Sequence, residues 1–118
     1  MMRVLLVDDD DLLRGFLRKV LTKSGYVVVE AANGKDALDL SDDVDVLVTD
    51  VVMDGMDGLC LADSIQAHRP ELPVLFISGH PIDFAKERGR YSRCAFLPKP
   101  FPPSELFKTL TSLSPLSL

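Results

Sequence analysis

Cysteine is scarce in this sequence. Cys60 and Cys94 are too few and too far apart for a disulfide framework or a Cys-x-x-Cys zinc site. They read as reduced thiols of a cytoplasmic protein. Long apolar runs are missing too: none approaches the roughly 18 residues of a membrane span, so no membrane insertion is expected. Met1-Met2-Arg3-Val4 passes straight into a short apolar run and four aspartates, without the apolar stretch and small-residue cleavage site of a secretory signal. Basic charge is in deficit, with 13 Lys and Arg against 18 Asp and Glu and a net charge of −5. That balance argues against a direct grip on a nucleic acid backbone. What is left is an ordinary globular composition, 47% hydrophobic and 26% charged over 118 residues, and 1–118 fits a single domain.

Apolar runs of strand length occur at Val4 to Val7, Tyr26 to Ala31, Val44 to Thr49, Val74 to Ile77 and Cys94 to Leu97. Two of them, Val4 to Val7 and Val74 to Ile77, are nearly continuous in Val, Leu, Ile and Phe, the pattern of strands buried on both faces of a parallel sheet. Helical patterns separate the runs. Leu12, Leu13, Phe16, Leu17, Val20 and Leu21 repeat at helical spacing, and Gly25 follows as a C-terminal cap. Asn33 opens a short helix over Gly34 to Leu40. Asp57 caps a helix carrying Leu59, Ala62 and Ile65 that must end before Pro70. A marginal polar helix is predicted over residues 81–88, and Pro102-Pro103 leads into a last helix with Leu106, Phe107, Leu110 and Leu113 on one face. Five alternations of strand and helix predict an α/β fold, a five-stranded parallel sheet with helices on both faces. Ligand sites in such folds lie beyond the carboxyl ends of the strands.

Those ends carry Asp8-Asp9-Asp10, Thr49-Asp50, Ser78-Gly79-His80 and Pro98-Lys99-Pro100. Asp10 and Asp11 read as solvated acids at a helix start, where they suit the dipole. Asp8 and Asp9 follow a buried strand closely, with a third carboxylate expected beside them. Like charges so close raise one another's pKa unless a cation neutralises them. A hard oxygen donor set suits Mg²⁺. A carboxylate at a strand mouth, as at Asp50, can act as a nucleophile and form an acyl phosphate. Lys99 reads either as an ordinary surface lysine or, with its backbone fixed by two prolines, as a placed point charge for phosphate or carboxylate. Ser78 alone reads equally well as a turn former.

Together, Val4-Leu5-Leu6-Val7-Asp8-Asp9-Asp10, Val48-Thr49-Asp50-Val51-Val52-Met53, Met56-Asp57-Gly58, Ile77-Ser78-Gly79 and Phe96-Leu97-Pro98-Lys99-Pro100-Phe101 resemble the receiver domain of bacterial two-component response regulators along essentially the whole chain. The resemblance implies a flavodoxin-like or CheY-like sheet of order 2-1-3-4-5. It implies that Asp50 accepts a phosphoryl group from a phosphohistidine on a histidine kinase or phosphotransfer protein. Mg²⁺ would be held directly by Asp9 and Asp50, by Asp8 through water, and by the backbone carbonyl of Val52. Lys99 would pair with the phosphoryl oxygens or, at rest, with Asp50. Ser78 would move to bond the phosphoryl group, and Phe96 would turn inward behind it. That motion would reshape the face of the fourth helix, fifth strand and fifth helix toward an output domain or downstream protein.

Several positions depart from the family pattern. Asp54 stands where proline is common, so the loop after Asp50 is expected to be more mobile and more acidic. Phe96 replaces a frequent tyrosine, and Arg88-Gly89-Arg90-Tyr91-Ser92-Arg93 is unusually basic, either a solvated run or a contact for an acidic partner. Val52 and His80 sit where the family tunes acyl phosphate lifetime; Val52 cannot position an attacking water, and His80 reads first as an idle surface histidine. The wording around Ser78 and Lys99 resembles receivers fused to hybrid kinases, which leaves open a stand-alone regulator or a piece of a longer protein.

Rival readings fit less well. An aspartyl-nucleophile phosphohydrolase needs a second acid two residues after the nucleophile, and that position is Val52. A nucleotide- or flavin-binding domain needs a glycine-rich first turn, where this chain has Asp8 to Asp11. A receiver-like interaction module that is never phosphorylated would be free to lose the acids or the lysine, and all are present. The domain is therefore expected to be a signalling switch rather than an enzyme.

Overall fold

The computed structural model of the chain describes residues 2–79 and 93–113. In chain order it contains β1 (Arg3–Val7), α1 (Asp11–Lys23), β2 (Val27–Ala31), α2 (Gly34–Asp39), β3 (Val46–Asp50), α3 (Gly58–Gln66), β4 (Val74–Ser78), β5 (Cys94–Pro98) and a C-terminal helix (Pro103–Leu113). Every strand pair is parallel, and the order is β2-β1-β3-β4-β5, as expected. The helix predicted over residues 81–88, His80, and residues 88–92 of the basic stretch lie outside the described residues.

Alternation along the central strands explains their continuous hydrophobicity. Leu5, Val7, Leu47, Val74 and Phe76 face one side with Ala37, Leu61, Ala62 and Ile65 of α2 and α3. Val4, Leu6, Val46, Val48, Leu75 and Ile77 face the other, with Leu17 and Leu21 of α1 and Leu106, Leu110 and Leu113 of the C-terminal helix. Each fully buried Leu or Ile contributes about 2 kcal/mol through lost water contact. The helix pattern of α1 is wider than its buried stripe. Leu17 and Leu21 are buried, whereas Leu12 and Phe16 are exposed.

The helix ends use local chemistry. Asp10 caps α1 by accepting from the Leu12 and Leu13 N–H groups, Asn33 caps α2, and Asp57 caps α3 through the Cys60 N–H. At the far end of α1, Gly25 has φ +95°, with its N–H on the Thr22 carbonyl and the Tyr26 N–H on the Leu21 carbonyl. This pairing is a Schellman cap, which favours glycine because a Cβ disfavours the left-handed region.

Candidate functional site

The parallel register delivers four functional side chains to one edge. β1 runs out at Val7, opposite Thr49 of β3, so Asp8 and Asp50 emerge side by side. Asp50 pairs with Ile77, and Ser78 pairs with Pro98, which places Ser78 and Lys99 on the neighbouring strand ends. Asp8 and Asp50 are buried, Asp9 is exposed, and Ser78 is buried. One carboxylate oxygen from each of Asp8, Asp9 and Asp50 lies within 4.8 Å of the others. Among the described residues this is the one such grouping of three potential metal ligands.

Among the described residues Lys99 is the cation of the pocket. Its Nζ donates to Asp50 Oδ2 at 3.2 Å and lies 3.5 Å from Asp8 Oδ2. The second contact is long, so among the described residues the buried Asp8 Oδ2 has no well-formed hydrogen bond and faces only the Lys99 charge. The Lys99 N–H donates to the Ser78 carbonyl at 2.8 Å, and the Lys99–Pro100 peptide bond is cis. Burial pushes the Asp8 pKa up, and the Asp50 charge adds to that effect. The Asp10 N–H and the Lys99 charge pull the other way without cancelling it.

A buried carboxylate oxygen with only a distant donor is costly. Three converging carboxylates, faced among the described residues by Lys99, match the donor set of a small hard divalent cation. The residues present therefore fit Mg²⁺.

Two close approaches hold Asp50 in place. The Val51 N–H donates to the Ile77 carbonyl, and the Gly58 N–H donates to the Val51 carbonyl at 2.8 Å. A Cβ on Gly58 would collide with the Asp50 main-chain carbonyl and stand 3.0 Å from Val51 Cα. The start of α3 thus rests directly on the backbone of the nucleophile candidate. Asp54, in the intervening loop, gives its N–H to Asp9 Oδ2 at 3.2 Å. Proline has no N–H to give, so this contact depends on the departure from the family pattern.

The other expected positions fall as follows. Val52 is exposed, two residues beyond Asp50. Phe96 is buried and already packed inward, its ring stacked on Phe76 at 4.9 Å between centroids. His80 lies outside the described residues.

Residue type and spacing alone do not single out Arg14. Its Nη1 donates to the Asp8 carbonyl at 2.7 Å, and its other nitrogens meet Asp11 and Glu30. Burial alone would lower the Arg14 pKa, but the Asp11 and Glu30 carboxylates outweigh it and the pKa is raised. The place of Arg14 one helical turn after the capping Asp10 puts it near the start of α1, but that spacing does not give its bond to the Asp8 carbonyl.

Beside the pocket lies a cavity of about 190 Å³ lined by Leu13, Phe16, Leu17, Lys99, Pro100 and Phe101. It adjoins the exposed apolar residues of α1.

Compared with known proteins, residues 4–111 match the family described as the response regulator receiver domain. The sensor kinase CckA of Brucella abortus (strain 2308) is 37% identical over 115 residues, covering 93% of this chain and 12% of the kinase. The chain spans half the length or less of the curated relatives aligned with it. In structure it is similar to the chemotaxis protein CheY4 of Vibrio cholerae, with a TM-score of 0.88 and 30% identity over 96% of this chain and 98% of that one. It is similar also to the response regulator TrrA of Thermotoga maritima, solved in complex with Mg²⁺ and BeF (TM-score 0.83, 26% identity, 96% of this chain and 99% of that one).

Proposed function

This chain belongs to the response regulator receiver domain family of two-component systems, and from that premise we propose that Asp50 is its phosphoacceptor. The observation that carries the reading is a buried carboxylate at the mouth of a central strand, 3.2 Å from a lysine and clustered with two further carboxylates. A carboxylate oxygen of Asp50 attacks phosphorus, the P–N bond to the donor imidazole breaks, and the imidazole leaves. In hydrolysis, water attacks the same phosphorus, the bond from the Asp50 oxygen to phosphorus breaks, inorganic phosphate leaves and the Asp50 carboxylate is restored.

The pocket's own residues set the conditions for that exchange. Asp9 and Asp50, with the Val52 carbonyl, would hold Mg²⁺ directly and Asp8 would do so through water. The ion, when bound, neutralises charge on the phosphoryl oxygens. Lys99 leaves Asp50 Oδ2 to pair with a phosphoryl oxygen, and Ser78 donates its hydroxyl to another. Phe96, already packed on Phe76 in this structure, is the second switch position and would rearrange with Ser78. No enzymatic turnover of an outside substrate is assigned; the chemistry is the domain's own phosphorylation and dephosphorylation.

The donor is a histidine kinase or phosphotransfer protein. Leu12 and Phe16 are exposed on α1, next to the cavity that ends at Lys99 and Phe101, and this supports a docking face beside Asp50. Residues 1–118 are taken as one receiver domain, whether it works alone or within a longer kinase or regulator. Its output would be a linked domain or a downstream protein. None of the described helices is long and apolar enough to cross a membrane, and a cytoplasmic location fits that partner set.

Borohydride trapping tests the assignment. Reduction of an aspartyl phosphate yields homoserine, so peptide mapping after phosphorylation should find homoserine at position 50. Homoserine at another aspartate, Asp9 above all, would move the acceptor. A protein that takes no phosphoryl group from any donor would instead be an interaction module.

A further inference from the structure

We propose that Arg14 is a positioning residue for the acidic pocket, acting through the main chain of Asp8. The inference rests on the reading of Asp8, Asp9 and Asp50 as a metal-binding phosphoacceptor site.

Asp8 stands one residue past the last paired position of β1. Its N–H still reaches the Ala31 carbonyl at 3.3 Å, but its carbonyl has passed the β1–β3 ladder. Arg14 Nη1 supplies the donor for that carbonyl at 2.7 Å. The remaining nitrogens of the guanidinium are used as well, Nη2 on Asp11 Oδ1 at 2.8 Å and Nε on Glu30 Oε1 at 3.3 Å. One rigid plane therefore ties together the turn after β1, the first turn of α1 and strand β2. The Arg14 side chain is 16% exposed and its bond to the Asp8 carbonyl is partly buried, whereas the Asp11 carboxylate is 81% exposed, so water competes least for the bond to Asp8.

The turn so held determines where the carboxylates stand. Asp8 Oδ1 accepts the Asp10 N–H at 2.9 Å within the same turn, so the orientation of the turn sets where Oδ2 points. Oδ2 is the buried oxygen without a well-formed hydrogen bond among the described residues, facing Lys99. Asp9 hangs from the next residue of the turn. A flexible ammonium could match the charge of Arg14 but could not span three acceptors in fixed directions. Arg18 makes a natural comparison: its Nε pairs with the other Glu30 oxygen at 3.2 Å. No bond from Arg18 to Asp8 accompanies that pair.

The experiment uses the full chain with Arg14→Ala, Arg14→Lys and Arg18→Ala, each checked for folding by thermal melting. Amide spectra are recorded first without metal and then through a Mg²⁺ titration. Without metal, both Arg14 variants should shift the Asp8, Asp9 and Asp10 amides, and Arg18→Ala should leave them in place. In the titration, Arg14→Ala should bind Mg²⁺ about tenfold more weakly, the low end of what losing a residue that orients metal ligands costs. Arg14→Lys should recover little of that loss, and it carries the test if the alanine variant does not fold. Wild-type affinity in both Arg14 variants would overturn the proposal. So would an equal loss in Arg18→Ala, which would trace the effect to Glu30 pairing in general. A wild type that takes up no Mg²⁺ would fall on the metal reading, while the metal-free shifts would still decide the role of Arg14.

Discussion

Both ends of the sheet carry clustered aspartates, yet they are chemically unlike. At the amino ends of the strands, Asp39, Asp42, Asp43 and Asp45 are all exposed. Asp45 Oδ2 accepts the Arg3 N–H at 2.7 Å. Arg69 Nη1 binds the carbonyls of Ser41 and Val44 at 2.9 and 2.6 Å, pinning the loop. A cavity of about 270 Å³ opens there, larger than the one beside Lys99. At the carboxyl ends, Asp8 and Asp50 are buried around a lysine, and Asp8 keeps an oxygen without a well-formed hydrogen bond among the described residues. The difference teaches that neither the number of acids nor the size of a cavity marks a site. Desolvation and convergence do, because a buried charge costs stability that only a ligand or a partner can offset.

Three substitutions can break or sharpen that contrast. The largest effect belongs to Gly58→Ala at the carboxyl end. A methyl against the Asp50 carbonyl should cost about 2 kcal/mol, typical of forced overpacking, and should displace the acceptor. Chemical denaturation measures the first and the rate of phosphorylation the second. An unchanged protein would mean that α3 can move away freely.

Asp8→Asn should have the opposite sign. In metal-free protein at neutral pH, removing the desolvated charge should stabilise by about 1 kcal/mol, within the range for relieving an unsatisfied buried group. The sign with pH follows from the raised pKa of Asp8. A folded-state pKa above the unfolded value makes the ionised group a cost at neutral pH. That cost fades as pH falls through the raised pKa toward the ordinary value of 3.8. The gain from Asp8→Asn should therefore be largest near neutrality and shrink with acidification. Unfolding curves at a series of pH values in chelator would show it, and a gain that grew on acidification would refute it. The smallest effect is expected from Asp43→Asn at the opposite end, within about 0.5 kcal/mol as for exposed surface changes. A larger change there would erase the distinction between the two ends.

What the sequence disclosed follows the same physics. β1 and β4 were legible because strands buried on both faces read as nearly continuous apolar runs, and β2 because its valine run ends at a turn. The caps at Asn33 and Asp57 were legible because they are local. The boundary of β3 was less so: the apolar run starts at Val44, but pairing with β1 begins at Val46. The order of the strands came from resemblance, since no periodicity encodes which strands are neighbours. Asp8, Asp9, Asp50 and Lys99 could be picked out as strand-end residues, and the structure brings them together. The Arg14 bond to Asp8, the Asp54 N–H on Asp9 and the close approach of Gly58 could not be picked out. Each depends on how two elements meet, and residue type alone does not carry that distance. The exposure of Leu12 and Phe16 was hidden for a related reason, because a helix pattern does not say which part of an apolar stripe another element covers.

Asp50, at the buried end of the sheet, is the proposed phosphoacceptor. Intact mass after incubation with acetyl phosphate tests that role most directly, with and without Mg²⁺ and with Asp50→Asn as the control. The expected result is a gain of one phosphoryl group that requires Mg²⁺ and is absent from Asp50→Asn. A gain of equal size in Asp50→Asn would contradict it.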